Sequence, residues 1–263
     1  MSKFLFHFWR NVLLNFLVIT FLATAARGAE PIKALLICGG CCHGYDEQKI
    51  LMTQGISARA NVKWTLFEEG DDRDHMASIY ENPDWAKGYD VVVHNECFGY
   101  VSNAAFIQRI VDAHVKNGIP AVMIHCSTHS YRASPNDEWR KLLGVTSFVH
   151  EKKRTFEVVN LHPENPIMKD FPMRWTDPED ELYEIKKVWP NCVPLAKGIG
   201  VTNAEYPCVW INMDGGAKVF GTTMGHDKSM HEKVYLDLVT RGLLWSVGKL
   251  GDDGKPVAGY ERK

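Results

Sequence analysis

Histidines follow several apolar segments of the chain, at positions where acid–base or metal chemistry is commonly placed. The chain carries eleven histidines, and this total decides nothing by itself. Imidazole titrates close to neutral pH and is a frequent metal ligand, so its placement matters more. Four histidines lie directly after predicted strands and are the first catalytic candidates: His43, His125, His129 and His226.

The apolar runs before these histidines have the length and composition of buried strands. Strands are predicted at 33–38, 62–67, 90–95 and 121–124, separated by helical patterns at 46–60 and 102–117. Ser102 is predicted to cap the second helix. Strands alternating with helices indicate repeated β-α-β units and a parallel sheet. We therefore expect a three-layer α/β fold in which helices flank a mostly parallel sheet.

The second half of the chain shows a different pattern. Residues 154–161 alternate apolar and polar side chains, as an edge or antiparallel strand does. Further short strands are predicted at 182–187 and 193–197, and a hairpin at 207–211 and 218–223 around the Gly-rich turn 214–216. A final helix is predicted at 230–247. We expect antiparallel additions before the last strand, within one domain over residues 30–263.

The candidate histidines suggest a metal site. In parallel sheets, ligands bind beyond the carboxyl ends of the strands, so these loops should share one rim. Imidazole and carboxylate suit Zn²⁺ or a similar divalent ion, and an open catalytic site needs about three protein ligands plus water. His129 and His226 are the first predicted ligands, His43 is the next, and Glu181 or Glu96 supplies an oxygen. The alternative is a histidine cluster that binds substrate without metal.

Four segments, in this order along the chain, resemble the ThuA-like (trehalose utilisation) family. They are the strand end with His43, the run His125-Cys-Ser-Thr-His-Ser-Tyr-Arg132, the run Asp180-Glu-Leu-Tyr183, and Gly225-His226-Asp227. The resemblance covers about residues 32–248 and implies the class I glutamine amidotransferase-like, flavodoxin-like fold. It also implies a role in carbohydrate metabolism, on a disaccharide or an oxidised sugar.

Residue type and position after the strands assign roles to these residues as expectations. The catalytic group is predicted to comprise His43, His125, His129, His226 and Glu181. The substrate-binding group is predicted to comprise Glu96, Tyr131, Arg132, Tyr183 and Asp227, with Tyr131 stacking on a sugar and Arg132 donating to it. A divalent ion such as Zn²⁺ would favour isomerisation, epimerisation or elimination of a keto-sugar, or hydrolysis. The predicted partner is a small carbohydrate.

Two other functions remain open from the sequence. The first is a non-catalytic sugar-binding module built on the same rim. The second is a Cys-His amidase, because related amidotransferases carry a nucleophilic Cys after a comparable strand and Cys126 takes that place. The small flanking residues of a nucleophile elbow are missing around Cys126, and Asp227 follows His226 where an amidotransferase has a His-x-Glu dyad. By default Cys126 is therefore a small residue at the rim.

The number and spacing of the cysteines do not by themselves predict a disulfide pattern. There are seven, so a monomer must keep at least one free thiol. Cys38, Cys41 and Cys42 superficially resemble a zinc-binding C-x-x-C motif, but no second Cys or His pair follows at short range. Cys38 ends an apolar strand, where Cys usually packs as a small hydrophobic residue.

The first 29 residues have the layout of a secretory signal peptide. Lys3 and Arg10 precede an apolar stretch at 11–26, and small residues follow it. The stretch is short for a membrane span, so we expect cleavage, no stable membrane anchor, and a periplasmic or secreted protein. Cleavage would change the formal net charge from −2 to about −5, because it removes three basic residues and no acid.

Composition argues against several other classes. Charged residues make up 24% of the chain and basic residues are dispersed, so no nucleic-acid partner is expected. Gly39-Gly40 follows a strand, but no Gly-Lys-Ser/Thr or G-x-G-x-x-G pattern accompanies it, which argues against a phosphate loop.

Overall fold

A computed structural model describes residues 29–263 of the chain. The predicted signal peptide, residues 1–29, lies outside the described residues except for Ala29. The strands are β1 (Ile32–Gly40), β2 (Val62–Glu68), β3 (Val91–Cys97), β4 (Ala121–Ile124), β5 (Val145–His150), β6 (Arg154–Asn160), β7 (Arg174–Asp180), β8 (Tyr183–Val188), β9 (Val193–Ile199), β10 (Glu205–Asp214) and β11 (Ala217–Thr222). The α-helices are α1 (Tyr45–Ser57), α2 (Ala104–Val115), α3 (Glu138–Leu143) and α4 (Lys233–Ser246).

The main sheet has nine strands in the order β2-β1-β3-β4-β11-β10-β9-β6-β7. Its first five strands pair in parallel, and this order is that of flavodoxin-like sheets. The last four add in antiparallel fashion through the β10–β11 hairpin. Strands β5 and β8 form a separate two-stranded sheet. The predicted fold class is confirmed, including the antiparallel additions before the last strand.

Both faces of the sheet are covered, which explains why its strands are continuously apolar. In β1, Leu36 faces the core formed with α1 and α4, whereas Leu35 and Ile37 face the core formed with α2 and α3. All three side chains are fully buried. Side chains of a strand alternate between its two faces, so a strand buried on both sides must be apolar throughout.

The helix boundaries differ from the sequence prediction by a few residues. Asn103 caps α2 in place of Ser102, because its side-chain oxygen accepts a hydrogen bond from the Phe106 backbone N–H at 3.0 Å. The last helix begins at Lys233, after a short 3₁₀-helix over Lys228–His231. None of the helices in the described part of the chain is long and apolar enough to span a bilayer.

Two strand ends are shaped by backbone that only glycine tolerates. Gly40, with φ of +89°, ends β1, and a Cβ there would lie 2.3 Å from the Cys97 carbonyl oxygen. Gly225, with φ of +119°, follows β11, and a Cβ there would lie 2.3 Å from the Tyr235 hydroxyl. Each glycine permits a close approach of chains immediately before a histidine-bearing loop.

Candidate metal and sugar site

Three histidines from distant parts of the chain meet at the carboxyl end of the parallel strands. His43 follows β1, His125 follows β4 and His226 follows β11. The ring centroids lie 4.8 Å apart for His43 and His125, 4.7 Å for His43 and His226, and 5.2 Å for His125 and His226. One ring nitrogen from each residue lies within 4.8 Å of the other two. This spacing allows one ion to contact all three imidazoles.

His125 is held in an unusual backbone conformation. Its φ is +44°, a backbone conformation that is strained for any residue with a Cβ. Such strained residues are common at functional sites. Its Nδ1–H donates to the Thr223 carbonyl at 2.6 Å, so the neutral ring presents a lone pair at Nε2. That Nε2 is buried without a hydrogen-bond partner. Burial lowers the His125 pKa, but the carboxylates of Asp180 and Glu181 outweigh it and raise the pKa.

His226 is positioned through its backbone and its ring. The Asp180 carboxylate accepts hydrogen bonds from the backbone N–H groups of Gly225 at 2.6 Å and His226 at 3.1 Å. The buried Gln48 amide donates to the His226 carbonyl at 2.9 Å. The Asp227 carboxylate lies 2.9 Å from His226 Nδ1. Nδ1 is buried without a hydrogen bond of suitable geometry, so this carboxylate acts on the ring through its charge.

His43 completes the group from the loop after β1. Its Nδ1 is buried and has no hydrogen-bond partner. Burial, followed by the neighbouring imidazoles of His125 and His226, lowers the pKa of His43 to about 2. The ring is therefore neutral at physiological pH, which is the form that binds metal ions.

Glu181 is a charged carboxylate beside the three histidines. It lies between β7 and β8, and its Oε2 is 3.6 Å from His125 Nε2. Its Oε1 is 3.7 Å from His226 Nε2. Burial raises the pKa of Glu181, but the imidazole of His125, with those of His150 and His226, outweighs burial and lowers the pKa to about 2. A charged oxygen thus faces the point where the histidines meet.

A small cavity of about 80 Å³ adjoins this group. Tyr183 stacks on His129 with ring centroids 4.1 Å apart, and His150 stacks on the same tyrosine at 5.4 Å. Arg132 lines the opening and donates to the Phe148 carbonyl at 3.0 Å. Aromatic faces together with charged donors are typical of sites that bind sugars.

The predicted site residues separate into two sets. The structure places His43, His125, His226, Glu181 and Asp227 together in one histidine–carboxylate group, and His129, Arg132 and Tyr183 along the cavity. His129 had been predicted as a first metal ligand. Its Nε2 instead lies 3.0 Å from the Ser147 hydroxyl, because a 3₁₀-helix over His125–Thr128 turns the chain and separates it from His125. His125, and not His129, is therefore the residue that lies beside His43 and His226.

Glu96 and Tyr131 do not lie at the rim, and these two substrate-binding predictions need correction. Strand β3 continues to Cys97, so Glu96 lies inside a strand and shares the face of His94. There its Oε1 is 2.8 Å from His94 Nδ1, and the side chain is fully buried. Tyr131 is also fully buried and packs edge-on against Trp139, with ring centroids 4.9 Å apart.

The cysteines form two disulfides that the sequence did not predict. Cys41 bonds to its neighbour Cys42, and Cys97 bonds to Cys126. The amidase alternative requires a free nucleophilic thiol at Cys126, so this pairing argues against it. Cys38 is a buried free thiol, as expected for a small core residue.

Two functional candidates were also missed. His150 received no role from the sequence, but it ends β5 opposite Tyr183 and therefore reaches the cavity. Asp180 begins the run Asp180-Glu-Leu-Tyr183, but the sequence assigned no role to its carboxylate. Its carboxylate positions the loop of His226 from a strand far away in sequence, and only the tertiary structure shows this contact.

Comparisons with known proteins agree with this fold. A family profile described as ThuA, trehalose utilisation, matches residues 34–246. A ThuA-like protein from Parabacteroides merdae superposes with a TM-score of 0.68 at 19% identity, over 84% of this chain and 91% of that one. A ThuA-like protein from Bacteroides uniformis has a TM-score of 0.64 at 16% identity, over 90% of this chain and 98% of that one.

A more distant similarity is confined to the fold. A β-galactosidase from Bacillus circulans has a TM-score of 0.53 at 12% identity, over 83% of this chain but 30% of the enzyme. Among curated protein sequences, no relative matches this chain. The ThuA profile covers most of the chain, from the middle of β1 to the end of α4. The protein therefore belongs to the ThuA, trehalose utilisation, family.

Proposed function

We propose that this protein is a metal-dependent enzyme that acts on a disaccharide or keto-sugar. One observation carries the proposal: His43, His125 and His226 converge within 4.8 Å, and His43 Nδ1 and His125 Nε2 are buried without partners. A buried imidazole nitrogen without a partner costs free energy unless a ligand satisfies it.

The residues present fit a divalent ion such as Zn²⁺. Three imidazoles are the donor set of open catalytic zinc sites, which keep a further position for substrate. Because the carboxylates favour a proton on His125, binding of the ion would release that proton. His43, His125 and His226 would hold the ion, with the Glu181 carboxylate beside it. When bound, such an ion polarises a sugar carbonyl and makes the adjacent C–H more acidic.

Glu181 is proposed as the proton acceptor of this reaction. Its carboxylate is charged at neutral pH and lies at the boundary between the histidine group and the cavity. A carboxylate in this place can remove a proton from the carbon next to a sugar carbonyl and return it to a neighbouring position. Isomerisation, epimerisation and elimination all begin with this proton removal.

The remaining cavity residues are proposed to bind the sugar. Arg132 supplies hydrogen-bond donors for hydroxyl groups, and the edges of Tyr183 and His129 line the cavity beside it. A cavity of about 80 Å³ admits the reacting edge of one sugar ring, so the rest of a disaccharide would lie outside it.

We also propose that the protein is exported. The layout of residues 1–29 supports this proposal, and two disulfides are typical of an oxidising compartment. N-terminal sequencing of the protein recovered from the periplasm or the medium tests it. A mature chain beginning near residue 30 is expected, and an intact Met1 on protein confined to the cytoplasm would contradict it.

The enzymatic proposal is tested by screening the purified protein against oxidised disaccharides. Turnover should appear with Zn²⁺ or another divalent ion and disappear with chelator. Glu181→Gln should lower kcat by about 10²–10⁴-fold while metal remains bound, as for the loss of a general base. Lys228→Met is a matched control, because Lys228 pairs with the neighbouring Glu179 and is largely exposed. Sugar binding without turnover by any variant would indicate a binding module and refute the enzyme.

A further inference from the structure

Two disulfides lie side by side at the mouth of the cavity. Cys41–Cys42 joins adjacent residues in the loop after β1, and Cys97–Cys126 joins the end of β3 to the 3₁₀-helix after β4. Cys42 is exposed and Cys41 is half-buried, whereas Cys97 and Cys126 are each only 5% exposed. An external thiol can therefore reach the first pair more easily than the second.

The sulfur atoms of the two pairs are close enough to react with one another. The Sγ atoms of Cys41, Cys42 and Cys97 all lie within 4.8 Å of each other. Arg73 lies over the exposed pair, with Nε 3.2 Å from Cys41 Sγ and Nη2 3.7 Å from Cys42 Sγ. A guanidinium in this position stabilises the negative charge on the sulfur that leaves when the disulfide is attacked.

We propose that these two disulfides form an exchange relay that passes two electrons from an external dithiol to Cys97–Cys126. The exposed pair Cys41–Cys42 is the entry point and Cys97 is the sulfur attacked inside the pocket. This activity uses the sulfur atoms alone and does not depend on the proposed sugar chemistry.

Each step of the relay is a thiol–disulfide exchange with balanced electrons. One thiolate of the dithiol attacks Cys42 Sγ, and Cys41 leaves as a thiolate. The second thiolate of the dithiol then closes the reagent's own disulfide and releases Cys42. Two electrons and two protons have thereby moved from the dithiol to the exposed pair.

The second half of the relay transfers these two electrons from Cys41 and Cys42 to the buried Cys97–Cys126 disulfide. The Cys41 thiolate attacks Cys97 Sγ, forming a Cys41–Cys97 bond, and Cys126 leaves as a thiolate. Cys42 then attacks Cys41, restores Cys41–Cys42 and releases Cys97. The net reaction converts one dithiol and Cys97–Cys126 into one external disulfide and two thiols. Since Cys126 directly follows His125, the reduced state removes a covalent restraint beside the histidine group.

The relay is tested by timed reduction of the full chain with dithiothreitol. Samples are quenched in acid, alkylated under denaturing conditions and analysed by peptide mass spectrometry for each pair. The double variant Cys41→Ala/Cys42→Ala should reduce Cys97–Cys126 at least tenfold more slowly than wild type. Cys192→Ala is the matched control, because Cys192 is a buried free thiol packed in a different core cluster. It should reduce at the wild-type rate.

A single variant traps the intermediate and does not depend on the double variant folding. Cys42→Ser leaves Cys41 without its partner, so a Cys41–Cys97 disulfide with a free Cys126 thiol should be recovered. Recovery of only Cys97–Cys126 in this variant would overturn the relay. Equal or faster reduction of Cys97–Cys126 in the double variant would also overturn it, as would the absence of either disulfide from the oxidised wild-type protein.

Discussion

Replacing Asp180 by asparagine should destabilise the protein and weaken metal binding together. Asp180 is fully buried. One carboxylate oxygen accepts from Gly225 N at 2.6 Å and His226 N at 3.1 Å, and the other accepts from Glu181 N at 2.7 Å. An asparagine has a single acceptor oxygen, so its NH₂ group must face at least one of these N–H donors.

The magnitude follows from this count of hydrogen bonds. A hydrogen bond to a charged group contributes about 1.5–3 kcal/mol, and at least one is lost while the others lose the charge. We expect a loss of about 2–4 kcal/mol in the free energy of unfolding, which lowers the Tm by roughly 5–15 °C for a chain of this size. The shifted His226 loop should weaken zinc binding by about 10–100-fold, as for other residues that orient a metal ligand.

Thermal unfolding by circular dichroism and calorimetric zinc titration measure the two effects. Asp227→Asn is the matched control, because the side chain of Asp227 is 48% exposed and touches the His226 ring only from outside. It should lower the Tm by less than about 2 °C, since exposed ion pairs contribute about 0–1 kcal/mol. It should still weaken zinc binding. An Asp180→Asn protein with wild-type Tm and wild-type zinc affinity would refute the role assigned to Asp180.

Three further predictions concern stability. Glu96→Ala should lower the free energy of unfolding, measured in urea, by about 3–5 kcal/mol, because it leaves the buried His94 without its carboxylate partner. A decrease of less than about 1 kcal/mol would contradict this. Asn103→Ala should lower the free energy of unfolding by about 1 kcal/mol, whereas Ser102→Ala should leave it almost unchanged. A larger loss for Ser102→Ala than for Asn103→Ala would show that Ser102 is the helix cap. Burial and the neighbouring Asp180 raise the Asp177 pKa to about 7, so the native state keeps a proton that the unfolded state loses. Wild-type stability should therefore fall relative to Asp177→Asn between about pH 4 and 7, and a constant difference in unfolding free energy would contradict the shift.

The central architecture could be predicted from sequence because it depends on local patterns. Each parallel strand is buried on both faces and is recognised in the sequence as a short apolar run. The helices between the strands are recognised by the helical spacing of their apolar residues. The positions of His43 and His226 followed from the same patterns, because both come directly after strand ends. Of the antiparallel strands, β6 was predicted to within one residue, β9 and β10 were predicted in part, and β5, β7 and α3 were not predicted.

The errors at the site arise from small differences in where elements end. Strand β3 runs to Cys97, two residues beyond the predicted end at 95, so Glu96 lies within the strand and is buried against His94 and Tyr80 instead of reaching the rim. The chain after β4 forms a 3₁₀-helix instead of an extended loop, so His125 takes the place expected for His129. The Cys97–Cys126 disulfide, the place of His150 and the role of Asp180 depend on contacts between segments distant in sequence, which no local pattern encodes.

Metal stoichiometry is the most direct test of the histidine site. The apo protein is loaded with Zn²⁺, passed through a desalting column and analysed by mass spectrometry for bound metal. Wild type should retain one ion per chain, whereas His125→Ala should retain almost none with its fold intact by circular dichroism. His231→Ala is the control, because that ring is 52% exposed and pairs with Glu47, and it should bind like wild type. Equal retention by wild type and His125→Ala, or no retention by wild type, would contradict a metal centre formed by His43, His125 and His226.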